Sequence, residues 1–528
     1  MMLKPRVFIM LFPMLLGVSY FYNSWTQPLL ADEPTRAIVS LEMLLRGDAF
    51  PTINNEAYLN KPPLYNWILV PFLMVFGQSE WVVRLPAILS LLALGYLIFY
   101  FYQKITGDKE VSFFTAMAFL TSGNILFYSS LLGHIDATFS IVIFTHFMLC
   151  YLLGKSGKWN LLFRWSYLLC FIGFMLKGLP SIVFVGVSLI VTAFFFKQFK
   201  RLLSVSHWLN MLWFVVPILL YFGVFSQFYP LTDYVYNLWV ESSKRTVIEK
   251  SFLESIGHLF TFPFEFIIET APWSFLIVLF FNKKCRQLAK ENEFIRFSIY
   301  LFFANIAVYW LAPDTRARYV MMLYPIYFYP LFFAFKALKP SAKKAIRFVS
   351  PLLASILLVG LCIFYFVDPL LVMAYSYEWI VVLVLLGIGL MFALSSYCHS
   401  LYPLLFLLIV VRFGFDSIII PERAKTGETT QDKKEALEIA EIVGHEPLAM
   451  FNSNLHHSST YYLTRERQAL LPIATSKDTF NKKKYYLTPS DLIIDSARTT
   501  IHYTFVRRHM NKPFSLVKFK SGFPKKKK

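Results

Sequence analysis

The sequence predicts an all-α membrane protein that crosses the bilayer many times and carries a small α/β domain at its C-terminus. Of its 528 residues, 57% are hydrophobic, whereas soluble domains rarely exceed about half. The excess falls in blocks of about 20 residues, the length that a helix needs to cross roughly 30 Å of hydrocarbon. After about residue 420 the sequence becomes polar, which indicates a separate domain.

Thirteen apolar blocks are candidate spans. They lie at about 7–23, 82–102, 111–130, 136–154, 161–176, 178–196, 209–228, 270–282, 294–312, 319–337, 345–367, 378–396 and 400–418. The first block follows Lys4 and Arg6 but has no small-residue cleavage site. It is therefore predicted to be an uncleaved span and not a signal peptide.

The basic residues determine the predicted orientation. With the N-terminus in the cytoplasm, the Lys/Arg clusters in the short gaps, such as Lys155 to Arg164 and Lys339 to Arg347, all fall inside. This is the distribution that membrane proteins favour. The net charge of +19 is therefore attributed to membrane topology, and no nucleic-acid partner is predicted.

The chain divides into a transmembrane domain, 1–419, and an external, periplasmic α/β domain, 420–528. Two long outer loops, 24–81 and 229–269, interrupt the first domain. In the second domain, a helix is predicted over Lys433–Val443, ending at Gly444. Strands are predicted at Leu448–Phe451, Tyr485–Leu487 and Leu492–Ile494.

An amphipathic helix is predicted in the first outer loop. Pro34 suits its first turn and Gly47 its end. Apolar residues, among them Ile38 and Leu41, recur at helical spacing on one face. We expect this helix to lie flat on the membrane surface.

Asp32 and Glu33 come directly before this helix. A carboxylate at a helix N-terminus is stabilised in its ionised form by the helix dipole, and an ionised carboxylate can act as a general base toward a hydroxyl acceptor. The pair could equally serve as a helix cap, with Glu33 in the N-cap position.

Lys61 lies in the segment Asn60-Lys61-Pro62-Pro63, where two prolines fix an extended turn. An ammonium group held at the membrane surface suits a lipid phosphate. The alternative is a lysine that extends to the interface while its stem packs against lipid.

Further acids and bases lie on the predicted outer side. They are Asp136, Lys177, Glu241, Arg245, His258, Arg318 and Tyr319. Each alone could simply be solvated. Together they come from several separate outer segments and could converge on one cavity suited to phosphate chemistry. His258 and the carboxylates could also hold a divalent metal, although no spacing demands one.

The order of these motifs resembles the bacterial branch of the GT-C membrane glycosyltransferases. That branch includes protein mannosyltransferases and lipid A 4-amino-4-deoxy-L-arabinose transferases. The matching segments are Asp32-Glu33 with Arg36, Arg46-Gly47-Asp48, Asn60-Lys61-Pro62-Pro63-Leu64, Arg84-Leu85-Pro86, Asp136, Lys177-Gly178, Glu241 with Arg245, Pro272-Trp273-Ser274, and Arg318-Tyr319 with Tyr324-Pro325. The resemblance covers residues 1 to about 340 well, and the rest in layout.

The resemblance implies an inverting transfer of a sugar from a polyprenyl-phosphate carrier at the outer face of a bacterial inner membrane. It implies that Asp32 is the catalytic acid of the first loop and Asp136 the second acidic position. Lys61 and Arg318 would hold the carrier phosphate. Relatives often have Glu where this chain has Asn60, so the sugar is left open. The acceptor could be lipid A, another glycolipid or a protein.

Two other classes compete with an enzyme. A transporter or flippase for polyprenyl-linked sugars or small solutes would explain the spans and a polar cavity. It would not explain the two long outer loops and the external domain, and inverted repeats typical of many transporters are not visible. A scaffold protein would use the same charges for topology and capping.

Overall fold

The computed structural model describes residues 5–243, 252–338, 401–475, 481–492, 499–507 and 512–520, together with Gly387. The labels below number the described elements only. The helical part contains α1 Pro5–Phe21, α2 Glu33–Arg46, α3 Leu64–Phe76, α4 Glu80–Thr106, α5 Lys109–Leu120, α6 Gly123–Phe127, α7 Ile135–Lys155, α8 Trp159–Lys177, α9 Pro180–Phe195, α10 Val205–Asn210, α11 Leu212–Phe225, α12 Leu231–Ser243, α13 Phe252–Glu269, α14 Lys283–Glu291, α15 Glu293–Trp310, α16 Tyr324–Lys336 and α17 Tyr402–Thr426.

Short elements connect these helices. A two-stranded hairpin, β1 Thr52–Ile53 with β2 Glu56–Ala57, lies between α2 and α3. The 3₁₀-helices of this part are Ser129–Leu131, Phe199–Leu203, Trp273–Phe281 and Ala317–Leu323.

The protein is a multi-pass membrane protein by the length and composition of its helices. In the described part of the chain, five helical segments are long and apolar enough to cross a membrane, and two bent helix pairs raise the number to seven. The five are Glu80–Thr106, Ile135–Lys155, Trp159–Lys177, Val205–Phe225 and Tyr402–Thr426.

Most predicted spans coincide with helices, but not all are single straight ones. The block at 111–130 is α5 and α6, bent by 43°. The block at 270–282 is mainly the nine-residue 3₁₀-helix Trp273–Phe281, which is roughly 18 Å long at the rise of such helices. It turns by 115° from the preceding helix, so the predicted eighth span is not a single straight α-helix. The spans predicted at 345–367 and 378–396 lie outside the described residues.

The prediction for α2 is correct in its bounds and wrong in its environment. The helix begins at Glu33 with Pro34 in its first turn and ends at Gly47, whose φ of 68° is left-handed. However, Ile38 and Leu41 are fully buried in a cluster with residues of α3, α4 and the C-terminal domain. The apolar face of α2 therefore packs against protein, and not against the membrane surface.

The C-terminal domain is a five-stranded mixed sheet with two helices. Its elements are α18 Glu428–Val443, β3 Leu448–Phe451, α19 His457–Arg467, β4 Ile473–Ala474, β5 Tyr485–Pro489, the 3₁₀-helix Ser490–Leu492, β6 Thr499–Arg507 and β7 Lys512–Phe519. The strand order is β4-β3-β5-β7-β6. β3 is parallel to β4 and β5, and β7 is antiparallel to β5 and β6.

The structure confirms the helix that ends at Gly444 and the strands at Leu448–Phe451 and Tyr485–Leu487. The strand predicted at Leu492–Ile494 is wrong at Leu492, which belongs to a 3₁₀-helix, and its other residues lie outside the description. The predicted boundary near 420 falls inside α17, which continues to Thr426. The small domain thus follows the last described apolar helix without a flexible linker.

Candidate active site

Two of the predicted carboxylates and two of the predicted phosphate ligands meet in one cavity of about 160 Å³. Its lining residues are Ala31, Asp32, Tyr128, Ser129, His134, Asp136, Arg318, Tyr319 and Met321. They come from the loop before α2, the end of α6 and the 3₁₀-helix after it, the start of α7 and the 3₁₀-helix Ala317–Leu323. The cavity thus gathers acids and bases that are far apart in the sequence.

Asp32 occupies the N-cap position of α2, but its side chain does not cap the helix. The residue is exposed, and none of the described side chains is hydrogen-bonded or ion-paired to its carboxylate. Ala31, just before it, has a φ of 52°, a left-handed conformation that costs a residue other than glycine about 1–2 kcal/mol. The chain therefore accepts local strain to present this carboxylate to the cavity.

Asp136 is the second carboxylate of the cavity and lies in the first turn of α7. It forms an ion pair with Lys177 Nζ, the last residue of α8. Gly178 ends that helix with a φ of 80°, a value that favours glycine. Lys177 Nζ also lies 5.1 Å from the centre of the Tyr319 ring. This ion pair fixes the ends of two helices against each other at the cavity wall.

Arg318 is the main cation of the cavity. Its Cζ atom lies 4.6 Å from the centre of the Tyr128 ring and 5.5 Å from that of Tyr319. Cation–π contacts of this kind hold the guanidinium plane without neutralising its charge. Arg318 can therefore still attract an anion such as a phosphate.

Lys61 lies close to this cavity, in the loop between β2 and α3. It is half-buried and acts electrostatically on Asp136. Glu42 anchors the hairpin before it: this buried carboxylate accepts hydrogen bonds from Thr52 Oγ1 at 2.7 Å and the backbone N–H of Asn54 at 2.6 Å. Burial raises the pKa of Glu42 above its ordinary value, while these donors oppose the shift. The hairpin is thus held firmly to α2.

Glu33 lies outside the cavity, although it follows Asp32 directly. It is fully buried, and Arg84 donates to it twice, from Nε to Oε1 at 2.9 Å and from Nη2 to Oε2 at 3.0 Å. The backbone N–H groups of Gly133 and Leu30 donate to the same two oxygens at 2.7 and 2.8 Å. The prediction of Glu33 as N-cap is wrong, and a carboxylate so occupied is suited to structure and not to proton transfer.

Of the three other predicted residues His258, Glu241 and Arg245, only His258 has a described side chain, and it does not line the cavity. His258 lies beside the end of α15, with Nε2 3.3 Å from the carbonyl oxygen of Tyr309. The side chain of Glu241 and the whole of Arg245 lie outside the description. Among the described residues, no three or more His, Cys, Asp or Glu side chains are grouped so that they could hold a metal ion.

Four polar residues at the site had no role predicted from the sequence. Tyr128, Ser129 and His134 line the cavity, and Arg84 holds the loop that leads to Asp32. His134 could have been found from its place two residues before Asp136. Arg84 could have been found because an arginine within an apolar helix needs a partner. Tyr128 and Ser129 carry no such signal.

An apolar cavity of about 390 Å³ lies next to this site, between α13, the 3₁₀-helix Trp273–Phe281, α15 and α16. Aromatic residues such as Phe262, Phe302 and Tyr327 line it. Phe266 belongs to the same lining and contacts Tyr324, with ring centres 5.5 Å apart. Tyr324 directly follows the 3₁₀-helix that carries Arg318. A charged cavity and an apolar one are therefore neighbours.

The fold and this site define a class of protein. It is a multi-pass membrane protein with one cavity lined by both carboxylates and cations, next to the apolar cavity. A comparison with known protein families points to the same class. Residues 60–222 match the family described as dolichyl-phosphate-mannose-protein mannosyltransferase. The resemblance predicted from the motifs is thus confirmed.

Two curated relatives, both named as aminoarabinose transferases, are similar to part of this chain. The chain is 27% identical over 202 residues to undecaprenyl phosphate-alpha-4-amino-4-deoxy-L-arabinose arabinosyl transferase 1 of Proteus mirabilis, covering 37% of each chain. It is 28% identical over 207 residues to the corresponding transferase of Pectobacterium atrosepticum, which covers 38% of this chain and 36% of that protein. The matched part thus spans little more than a third of the length of these relatives.

Solved structures extend the similarity in fold to nearly the whole chain. ArnT from Cupriavidus metallidurans bound to undecaprenyl phosphate superposes with a TM-score of 0.70 at 18% identity, covering 97% of this chain and 98% of that one. Its apo state gives the same TM-score and identity, with 98% of each chain covered. The protein therefore shares the fold of these structures over nearly its whole length.

Proposed function

We propose that this protein is an inverting glycosyltransferase. It moves a sugar from a polyprenyl phosphate of the undecaprenyl type to a hydroxyl or phosphate of a glycolipid such as lipid A. The observation that carries the proposal is the cavity in which Asp32 and Asp136 face Arg318. The fold shared with a transferase solved with undecaprenyl phosphate supports it, as do the names of the curated relatives.

The geometry suggests how a direct displacement would proceed. The bond between the anomeric carbon and the carrier phosphate breaks, and the phosphate leaves as an anion. Arg318 and Lys61 stabilise that anion, because preorganised cations lower the energy of a charge that develops in the transition state. The acceptor oxygen forms the new bond to the anomeric carbon. A hydroxyl acceptor gives up its proton to a base, whereas an ionised phosphate acceptor has no proton to lose.

Asp32 is the carboxylate that fits the role of the base. Glu33 is occupied by Arg84 and two backbone N–H groups, and Asp136 is paired with Lys177. Asp32 is exposed to the cavity and has no described partner for its carboxylate. In this assignment Asp136 orients Lys177, which adds to the positive potential around the phosphate.

The apolar cavity fits the hydrocarbon chain of the donor. Its lining is almost wholly hydrophobic and includes Phe262, Phe266 and Phe302, as a site for an isoprenoid chain requires. Phe266 of this lining contacts Tyr324, which directly follows the 3₁₀-helix that carries Arg318. This arrangement would let the chain lie in the apolar cavity while the phosphate reaches the cation. Transfer would take place at the outer face of the inner membrane, with the C-terminal domain in the periplasm.

Mass spectrometry of a deletion strain tests the proposal in the cell. We expect polyprenyl-phosphate-linked sugar to accumulate and one envelope glycan to disappear. The accumulated compound identifies the donor, and the missing glycan identifies the acceptor, whether lipid A, another glycolipid or a protein. Unchanged carrier lipids and unchanged glycans would reject a transferase function.

The purified full-length chain then tests the base with the donor so identified. With a hydroxyl acceptor, Asp32→Asn should lower turnover by about 10²- to 10⁴-fold, the usual contribution of general-base catalysis, and leave carrier binding near normal. With an ionised phosphate acceptor no base is needed, and Asp32→Asn should lower activity only through binding. Asp48→Asn is a matched control, because Asp48 is ion-paired with Arg46 at the other end of α2. Near-normal turnover of Asp32→Asn together with an inactive Asp136→Asn would reverse the assignment of the two carboxylates.

A further inference from the structure

The C-terminal domain contacts the segment that carries Asp32. The segment 22–32 connects α1 to α2, and α19 of the C-terminal domain packs against α2. Thr35 Oγ1 lies 2.7 Å from His457 Nδ1 across this interface. The interface is therefore polar as well as apolar, and it reaches the first turn of α2.

Tyr462 contacts the segment 22–32 three residues before Asp32. Its hydroxyl accepts a hydrogen bond from the backbone N–H of Leu29 at 2.9 Å and donates one to Glu80 Oε1 at 3.1 Å. Tyr462 and Leu29 are fully buried, and Glu80 is nearly so. A buried hydroxyl that both accepts and donates is fixed in its orientation.

Two cations of the C-terminal domain hold Glu80 in place. Lys433 Nζ donates to Glu80 Oε1 at 2.6 Å, and Arg465 Nη1 lies 3.7 Å from Oε2. Arg465 and Lys433 also lie over the ring of Tyr462, at 5.0 and 5.2 Å from its centre. The C-terminal domain thus supplies a preorganised group of charges around one tyrosine hydroxyl.

Arg84 holds the same segment from the side of α4. Its Nη1 donates to the carbonyl oxygens of Ser24 at 2.6 Å and Gln27 at 2.9 Å, and its Nη2 donates to that of Pro28 at 3.0 Å. The carbonyls of Gln27 and Pro28 directly precede the N–H of Leu29 in the chain, and that of Ser24 lies three residues before that of Gln27. The backbone ahead of Asp32 is therefore clamped from two sides, by Arg84 and by Tyr462.

We infer that Tyr462 is a positioning residue of the reaction: through Leu29, the C-terminal domain fixes the backbone that presents Asp32 to the cavity. This inference rests on the proposed function. Ala31 keeps its left-handed backbone only while its surroundings hold it there. A shift of about 1 Å in a reacting group can lower a rate by roughly 10²-fold, so a clamp three residues away affects turnover.

The experiment compares Tyr462→Phe with Tyr461→Phe in the full-length protein. The two tyrosines are adjacent and fully buried, and each substitution removes one hydroxyl. The hydroxyl of Tyr461 donates to the carbonyl oxygen of Gln78 at 2.7 Å, in the turn between α3 and α4 and outside the segment 22–32. It is therefore a control for the loss of a buried hydrogen bond within the same interface.

We expect Tyr462→Phe to lower kcat about tenfold, since an unanchored segment places Asp32 correctly for less of the time. Binding of undecaprenyl phosphate should change by less than about twofold, because the substitution leaves Lys61 and Arg318, the proposed phosphate ligands, in place. Hydrogen exchange of the amides at 26–32 should be faster in Tyr462→Phe and unchanged in Tyr461→Phe. Tyr461→Phe should keep kcat within about twofold.

Two results would overturn the positioning role while the proposed function stands. In the first, the wild-type protein transfers sugar and the Tyr462→Phe variant is fully active as well. The other is an equal loss of kcat in both variants, which would show general packing and not positioning. A wild-type protein that transfers no sugar from any polyprenyl-phosphate donor would instead overturn the proposed function, and the role of Tyr462 with it.

Discussion

Replacing Glu33 with glutamine tests whether this carboxylate serves structure or chemistry. Glu33 accepts two donors on each oxygen: Arg84 Nε and Gly133 N–H on Oε1, and Arg84 Nη2 and Leu30 N–H on Oε2. In either orientation, the glutamine amide nitrogen faces two donors. At least two hydrogen bonds are therefore lost.

The magnitude follows from burial. The side chains of Glu33 and Arg84 are 0% and 2% exposed, and breaking one partner of a buried ion pair costs about 3–5 kcal/mol. Arg84 keeps three carbonyl partners, at Ser24, Gln27 and Pro28, which favours the lower end of that range. We expect the apparent melting temperature in detergent to fall by roughly 3 °C, because the unfolding entropy of a chain of this size is about 1.1 kcal/mol per degree.

Thermal unfolding followed by tryptophan fluorescence measures this, with turnover per folded molecule determined below the transition. Glu56→Gln, an exposed substitution in the nearby hairpin, is the control and should not change the melting temperature. In a double-mutant cycle with Arg84→Gln, the combined loss should be smaller than the sum by about 1–3 kcal/mol. A Glu33→Gln protein with normal melting and no turnover would refute the structural role and make Glu33 a catalytic residue.

Further predictions concern the cation, the strained residue and the topology. Lys61→Ala should remove a charge-assisted contact worth about 1.5–3 kcal/mol and weaken binding of polyprenyl phosphate roughly 10- to 100-fold; unchanged binding by a folded variant would reject Lys61 as a ligand. Ala31→Val should lower the melting temperature, because a β-branched residue resists a φ of 52°, whereas Ala31→Gly should not lower it. Equal melting temperatures of the two variants would contradict the claim that the backbone at Ala31 is strained. Single cysteines should label from outside at Lys477 and from inside at Lys158, and the reverse pattern would overturn the orientation.

The elements best predicted from the sequence are those that local chemistry determines. The bounds of α2 follow from Pro34 and Gly47, and the helix before Gly444 follows from the same end signal. Hydropathy located most apolar helices but not their bends, because a window average does not detect a 115° turn such as that before Trp273. The strands β6 and β7 were missed because polar residues such as Thr504 and Ser515 interrupt their apolar pattern.

The site was predictable in its charged residues and not in their pairing. Asp32, Asp136 and Arg318 stand out because ionisable groups near apolar helices are costly, and all three line the cavity. Whether a carboxylate is already paired with a cation depends on contacts between residues about 50 positions or more apart. The pair of Glu33 and Arg84 is an example. The contact of Leu29 with Tyr462 spans 433 positions. Local sequence patterns contain no information on such pairs.

The packing beneath the cavity argues for transfer at one face over transport across the membrane. A transporter needs a polar path that continues from the site toward the other side. Below Asp136 on α7, Phe139, Ile143 and Phe147 recur at helical spacing and are fully buried in the apolar core, beside one small polar residue, the buried Ser140. Phe139 and Phe147 both contact Phe184 of α9, so aromatic side chains close the space between the two helices. A charged sugar phosphate would lose its hydration against these three apolar side chains, whereas the cavity above supplies both the cations for a leaving phosphate and a carboxylate for the acceptor.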